Sequence, residues 1–168
     1  MTQPEDKGTI GDGLGTNLVV DKDGRIIGHP THLEAPGIFI INGGKPTERE
    51  IRLLGVEGLS EEEAPITFAK TKEWLYNYVR NEQEIFIKPG IGTDLADHVI
   101  YGLIYLSAVN KETGKRGGYV CVNNAMLWHG LVRIRDLNEI EDVDIREGLK
   151  KAQDHAKREK LGLWSNKP

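Results

Sequence analysis

The sequence predicts an α+β domain with a mostly β core, in an α+β or small-barrel pattern. Three observations lead there. Short β-branched and apolar runs recur between turn-forming residues. A helical stripe interrupts them after residue 60. Two further helical segments close the chain.

The elements follow in order. Residues 1–15 hold four glycines, a proline and little apolar character, so a flexible tail is expected, with a single domain over 16–168. "NLVVDKDGRIIG" places two β-branched runs around Asp-Lys-Asp-Gly, a hairpin pattern. "GHPTHLEAPG" reads as a loop, "GIFIING" as a buried strand, "GKPTE" as a turn and "REIRLLGV" as the returning strand. Ser60 and Glu63 have capping-box spacing, and Pro65 suits a first helical turn. Phe68, Ala69, Leu75, Tyr76 and Val79 form the expected apolar stripe. "QEIFIKP", "HVIYGLIYLSAV" and "GGYVCV" read as strands, the last two around the loop "NKETGKRGG". "NNAMLWHG" fits a short helix stopped by Gly130. In the final helix Asp144 and Glu147 have capping spacing, Ile145, Leu149, Ala152 and Ala156 share a face, and Gly162 ends it.

Composition narrows the function. No apolar run approaches a membrane span, the start "MTQPEDKG" lacks the basic and apolar parts of a signal peptide, and Cys121 is the only cysteine. A reducing, cytoplasmic setting is expected. A net charge of −4 disfavours tight non-specific DNA binding. Residues 136–147 carry six acids against one arginine, whereas 148–168 carry six Lys/Arg against two acids. The acidic stretch would repel nucleic acid or dock a basic partner protein.

Three collinear segments resemble the staphylococcal nuclease-like family. "LKKAQDHAKREKLGLW" is similar to its final helix. "VNNAMLWHGLVRI" resembles its Val-Asn-x-x-Leu-Val-x-x-Gly-Leu-Ala segment, and "IRLLGVEG" its Val-Arg-Leu-Leu-Gly-Val-Asp strand. The resemblance spans roughly residues 35–164. It implies an OB-type five-stranded barrel with three helices, here with an N-terminal extension, a fold that binds oligonucleotides on one face. It also implies calcium held by two aspartates, a glutamate that activates or orients water, and two arginines on the phosphoryl group. Hard oxygen ligands and paired guanidiniums suit that chemistry.

Laid on that pattern, the first arginine is Arg52 and the nearby metal aspartate becomes Glu57. The glutamate position holds Ser60, with Glu61 one residue on, which would substitute only if the loop shifted. The N-terminal aspartate falls near Pro36, leaving Glu34 as the closest carboxylate, and Tyr101 stands at the second arginine. Arg135 and Asp136 occupy the segment of the nucleotide-gripping aromatics. No catalytic residue and no cofactor are therefore expected. Arg52, Glu57, Glu61 and Tyr101 remain as remnants, with Glu34 and Glu57 as calcium ligands if the chain is active.

The expected function is an inactive or strongly impaired nuclease-like module that binds a partner protein, RNA or single-stranded DNA. Arg52, Tyr101, Lys111, Lys115 and Arg116 are the candidate contacts. The alternative is a divergent calcium-dependent phosphodiesterase, and a third possibility is a small nucleotide bound by Arg52 and Tyr101. Blander roles stand beside these. Arg52 could bond loop carbonyls or pair with Glu57; Lys111, Lys115 and Arg116 could be a solvated hairpin tip; His29 and His32 read as exposed loop residues; Trp74, Trp128 and Trp164 read as core.

Overall fold

Asp21-Lys22-Asp23-Gly24 turns the chain between β2 (Val19–Asp21) and β3 (Ile26–Gly28). The Asp21 carboxylate accepts from the backbone N–H of Asp23 and Arg25, each at 2.9 Å, and Gly24 takes the left-handed φ of 77° that closes the turn. A computed structural model describes residues 9–11, 17–35, 37–80, 82, 84–109 and 112–168. Of the expected tail over 1–15, only Thr9–Gly11 is described, as strand β1 paired with β2.

The remaining strands are β4 (Pro30–Ala35), β5 (Ile38–Ile41), β6 (Arg49–Leu53), β7 (Val56–Glu57), β8 (Ile85–Pro89), β9 (Val99–Val109), β10 (Arg116–Cys121) and β11 (Arg133–Ile134). The helices are α1 (Pro65–Leu75), continued by a π-helical turn over Tyr76–Arg80, α2 (Val122–Trp128) and α3 (Val143–Arg158). This is an α+β architecture dominated by one sheet. Its ladder runs β1-β2-β3-β8-β9-β6-β5-β4, with β10 added on β9, while β11 and β7 form a separate pair. Among the described pairs only β6–β9 is parallel. The path has β1 and β4 as its ends, so hydrogen bonding alone does not draw the five-stranded barrel implied by the resemblance.

Alternation sets the core. Ile85 and Ile87 of β8, and Ile100 and Ile104 of β9, are fully buried, whereas Phe86 and Lys88 point to the opposite face. These inward residues pack with Phe39, Ile41, Ile51, Met126 and Leu127. Arg49 is buried, and among the described residues it has no acidic partner. Its guanidinium donates to the carbonyls of Leu95, Glu48 and Pro46 and so ties the β5–β6 turn to the segment before β9. Asn123 at the start of α2 ties β9 to the turn between β6 and β7. It accepts from Ile104 N–H at 3.0 Å and donates to the Leu54 and Gly102 carbonyls at 3.0 and 3.3 Å.

Several local expectations change. "GHPTHLEAPG" contains a strand, β4, because Pro30 can begin an edge strand and the polar residues after it face outward. The strand expected through "REIRLLGV" breaks at Leu54–Gly55, where Gly55 has φ 76° and leads into β7. Ser60 and Glu63 do bond each other, but in a turn ahead of α1, whose first residue follows Ala64. The buried face of α1 and its π turn is Thr67, Thr71, Leu75 and Val79, while Ala69 and Tyr76 are exposed. The threonines are tolerated there because the Thr71 hydroxyl bonds the Thr67 carbonyl at 2.7 Å. Asp142, not Asp144, caps α3, accepting from the N–H of Asp144 and Ile145. Trp128 is not core: it is 45% exposed and stacks on His155 with centroids 3.4 Å apart.

Candidate functional site

Parallel pairing of β6 with β9 places Arg52 directly beside Tyr101. Their side chains emerge into a cavity of about 240 Å³, also lined by Gly37, Glu57, Val132 and Arg135. The Arg52 Nη1 lies 3.5 Å from the Tyr101 hydroxyl, the limit of a hydrogen bond, and its guanidinium carbon is 5.9 Å from the ring centroid. Arg135 reaches the same ring at 5.5 Å. Two guanidiniums therefore share one phenol, an arrangement favoured by the negative ring face.

Charge in the cavity is already committed. Arg52 Nε donates to Glu50 at 2.8 Å, and hydrogen bonds to Glu50 and then Tyr101 hold its pKa above the usual arginine value. Glu57 accepts from Arg133 Nε at 3.0 Å, a pairing fixed by the β7–β11 register that sets these two residues opposite each other. Arg135 lies 3.7 Å from Glu139. Arg52 thus pairs with Glu50, not with Glu57.

The remaining candidates lie elsewhere. Glu34 is exposed on β4, 3.4 Å from His32. Glu61 is exposed in the turn before α1 and does not line the cavity. Lys115 is exposed in the β9–β10 connection, Arg116 begins β10, and Lys111 and Pro36 lie outside the described residues. Among the described residues no cluster of three or more His, Cys, Asp or Glu side chains is placed to hold a metal. The donor set does not fit calcium, which takes six to eight oxygens. Among the described residues Glu57 is the one carboxylate lining this cavity, and it is engaged by Arg133.

A larger cleft, of about 810 Å³, opens on the outer face of β8, β9 and β10. Leu54, Leu103 and Ile140 line its apolar part, Tyr105 and Tyr119 its aromatic part, and Glu139, Glu141 and Asp142 its acidic edge. Arg25 stacks 4.5 Å from the Tyr119 centroid and is held by Asp21 at 2.9 Å. Burial pulls the Arg25 pKa down, but the Asp21 charge and hydrogen bond outweigh it and leave the value raised. Burial, with the neighbouring Cys121, pushes the Tyr105 phenol up to about 12. The sequence reading missed this cleft. Its available signal was Lys88 and Tyr105, which alternate with the inward Ile87 and Ile104 and so stand on the opposite face of β8 and β9. No protein-family model and no curated protein matches the chain.

Proposed function

We propose that this chain is a nuclease-like module retained for binding, without phosphodiester hydrolysis. The observation that carries it is the pairing of the carboxylates around Arg52: Glu50 is bound to Arg52 and Glu57 to Arg133. The hydrolysis that the resemblance implies would need a carboxylate free to activate water or hold a metal beside the arginine. Loss of one transition-state electrostatic partner already costs about 10²–10³-fold in rate.

The barrel belongs to the same proposal. β3 and β4 are separated by His29 alone, and β3 pairs β8 while β4 pairs β5. Taken as one bent strand, they would join the two sides of the ladder into a five-stranded ring of β3/β4, β5, β6, β9 and β8. Gly28 supports such a closure, because a Cβ there would meet the Ile41 side chain of β5. Tyr101 stands where the resemblance expects the second arginine, and its phenol carries no positive charge. One arginine of the pair is thus absent, although Arg135, directly after β11, brings a second guanidinium to the Tyr101 ring.

The binding mode that fits best is to a partner protein in the cytoplasm, with RNA or single-stranded DNA as the competing ligand. The acidic balance favours protein. Among the described residues no helix is long and apolar enough to cross a membrane. Incubation with single-stranded DNA and calcium should leave the DNA full length; cleavage abolished by Arg52→Ala would overturn the proposal in favour of the divergent phosphodiesterase.

A further inference from the structure

We infer that the cleft between β8–β10 and the segment before α3 docks an extended peptide of a partner protein, one in which a lysine or arginine sits between apolar residues. This deepens the binding proposal above and rests on it.

Three features converge. The first is size: about 810 Å³ lies within the range of roughly 300–1,000 Å³ typical of built binding sites. The second is the apolar floor. Leu54 and Leu103 are 3% exposed and Ile140 2%, so the floor is continuous with the core. Beside it Tyr105 and the half-exposed Tyr119, whose ring already carries Arg25 at 4.5 Å on one side, add aromatic surface of the kind that accepts cations and apolar side chains.

Charge is the third feature, and it decides the occupant. Four carboxylates line the cleft against two cations, Arg25 and Lys88. Arg25 is already ion-paired, and Lys88, exposed and bonded to a carbonyl rather than a carboxylate, is the one lining cation left without an ion pair among the described residues. Arg25 is bound to Asp21 and Asp23 at 2.9 and 3.2 Å, and Lys88 Nζ donates to the Asp23 carbonyl at 3.2 Å. Glu141 has no ion pair within 4.0 Å among the described residues, and Glu139 is a loose 3.7 Å from Arg135. A nucleic-acid backbone would bring phosphates against this acidic edge, with Lys88 alone to neutralise them. A cationic side chain gains both the acidic edge and the tyrosine rings, while its apolar neighbours reach the floor.

The test uses the full chain and fluorescein-labelled hexapeptides alternating leucine and arginine. The controls replace arginine by glutamate, or leucine by serine, and a dT oligonucleotide serves as a third probe. The leucine–arginine peptide should bind, more weakly as salt rises. Glu139→Lys/Glu141→Lys should weaken it about tenfold, the equivalent of ~1.4 kcal/mol. Tyr119→Ala, at an exposed position, should weaken it about threefold to tenfold, within the range of a single cation–ring contact. Glu61→Lys/Glu62→Lys changes the net charge equally but away from the cleft, and should leave affinity within about twofold. Equal binding of the glutamate peptide, equal loss in the remote charge variant, tighter binding of dT, or no peptide binding would each overturn the inference. A failure of the underlying proposal looks different, because it appears as cleaved oligonucleotide rather than unbound peptide.

Discussion

Arg52 and Tyr101 are side-by-side partners across the parallel β6–β9 ladder, and the Arg52 guanidinium is simultaneously held by Glu50 at 2.8 Å. A strand arginine that looks like the mark of a catalytic site is thus neutralised by a residue two positions earlier in its own strand. The Glu57 carboxylate, expected as a remnant metal ligand, is turned to Arg133 by the β7–β11 register.

Calcium should accordingly fail to stabilise the fold. A site with calcium at 100 times its Kd would add about 2.7 kcal/mol and raise Tm by roughly 5–10 °C in a chain of this size. Differential scanning calorimetry in millimolar calcium should show a shift near zero, and Glu57→Gln should not alter that result. A rise of several degrees that Glu57→Gln removes would restore the metal site.

The Glu57–Arg133 pair is 39% and 44% exposed, so its contribution is screened. A double-mutant cycle by urea unfolding should give a coupling of about 0.2–1 kcal/mol. A much larger coupling would mean that the pair is a rigid part of the cavity wall.

Asn123 is fully buried and satisfies the Ile104 N–H and the Leu54 carbonyl. Asn123→Leu strands both groups and should cost about 2–6 kcal/mol in urea denaturation, at roughly 1–3 kcal/mol for each. Asn124→Ala, next in the chain but only partly buried, should cost under about 1 kcal/mol.

Gly130 and Gly162 cross backbone to backbone. A Cβ on Gly130 would overlap the Leu161 carbonyl, one on Gly162 the Gly130 carbonyl, and both residues have positive φ. Gly130→Ala should destabilise by more than about 2 kcal/mol. Gly114→Ala, with φ 70° but open space, isolates the backbone term and should cost about 1 kcal/mol. Equal losses at the two sites would refute the close crossing.

Tyr105 carries the alkaline prediction. Its folded pKa of about 12 lies above the ordinary 10.0, so the folded state holds the proton longer than the unfolded chain. The stability this represents is complete below pH 10 and is lost as pH rises from 10 toward 12. Cys121, raised by burial, acts in the same direction. In an ultraviolet titration, subtracting Tyr105→Phe from the parent should reveal a phenolate component with its midpoint near 12. A midpoint near 10 would show that the ring is solvated.

Much of the chain's organisation was legible in the sequence. The hairpin at Asp21–Gly24, the runs that become β5, β8, β9 and β10, and the buried face Leu149, Ala152 and Ala156 follow from turn chemistry and from periods of two and 3.6. Those signals are local. β4 was not legible, because its polar outward residues conceal a strand that only pairing with β5 creates. Nor was the face of α1, since the threonines at 67 and 71 are inward by geometry but polar by type.

The sequence by itself determined which residue types stand near the IRLLGVEG strand, and that a serine occupies the position where the resemblance expects a glutamate. Only the tertiary structure decided their partners. Register across ladders distant in the chain sets Arg52 on Tyr101 and Glu57 on Arg133, and the segment after β11 adds Arg135 to the same ring. The large cleft exists for the same reason. Its apolar floor, tyrosines and acidic edge come from segments far apart in the chain, and no local periodicity encodes which of them will meet.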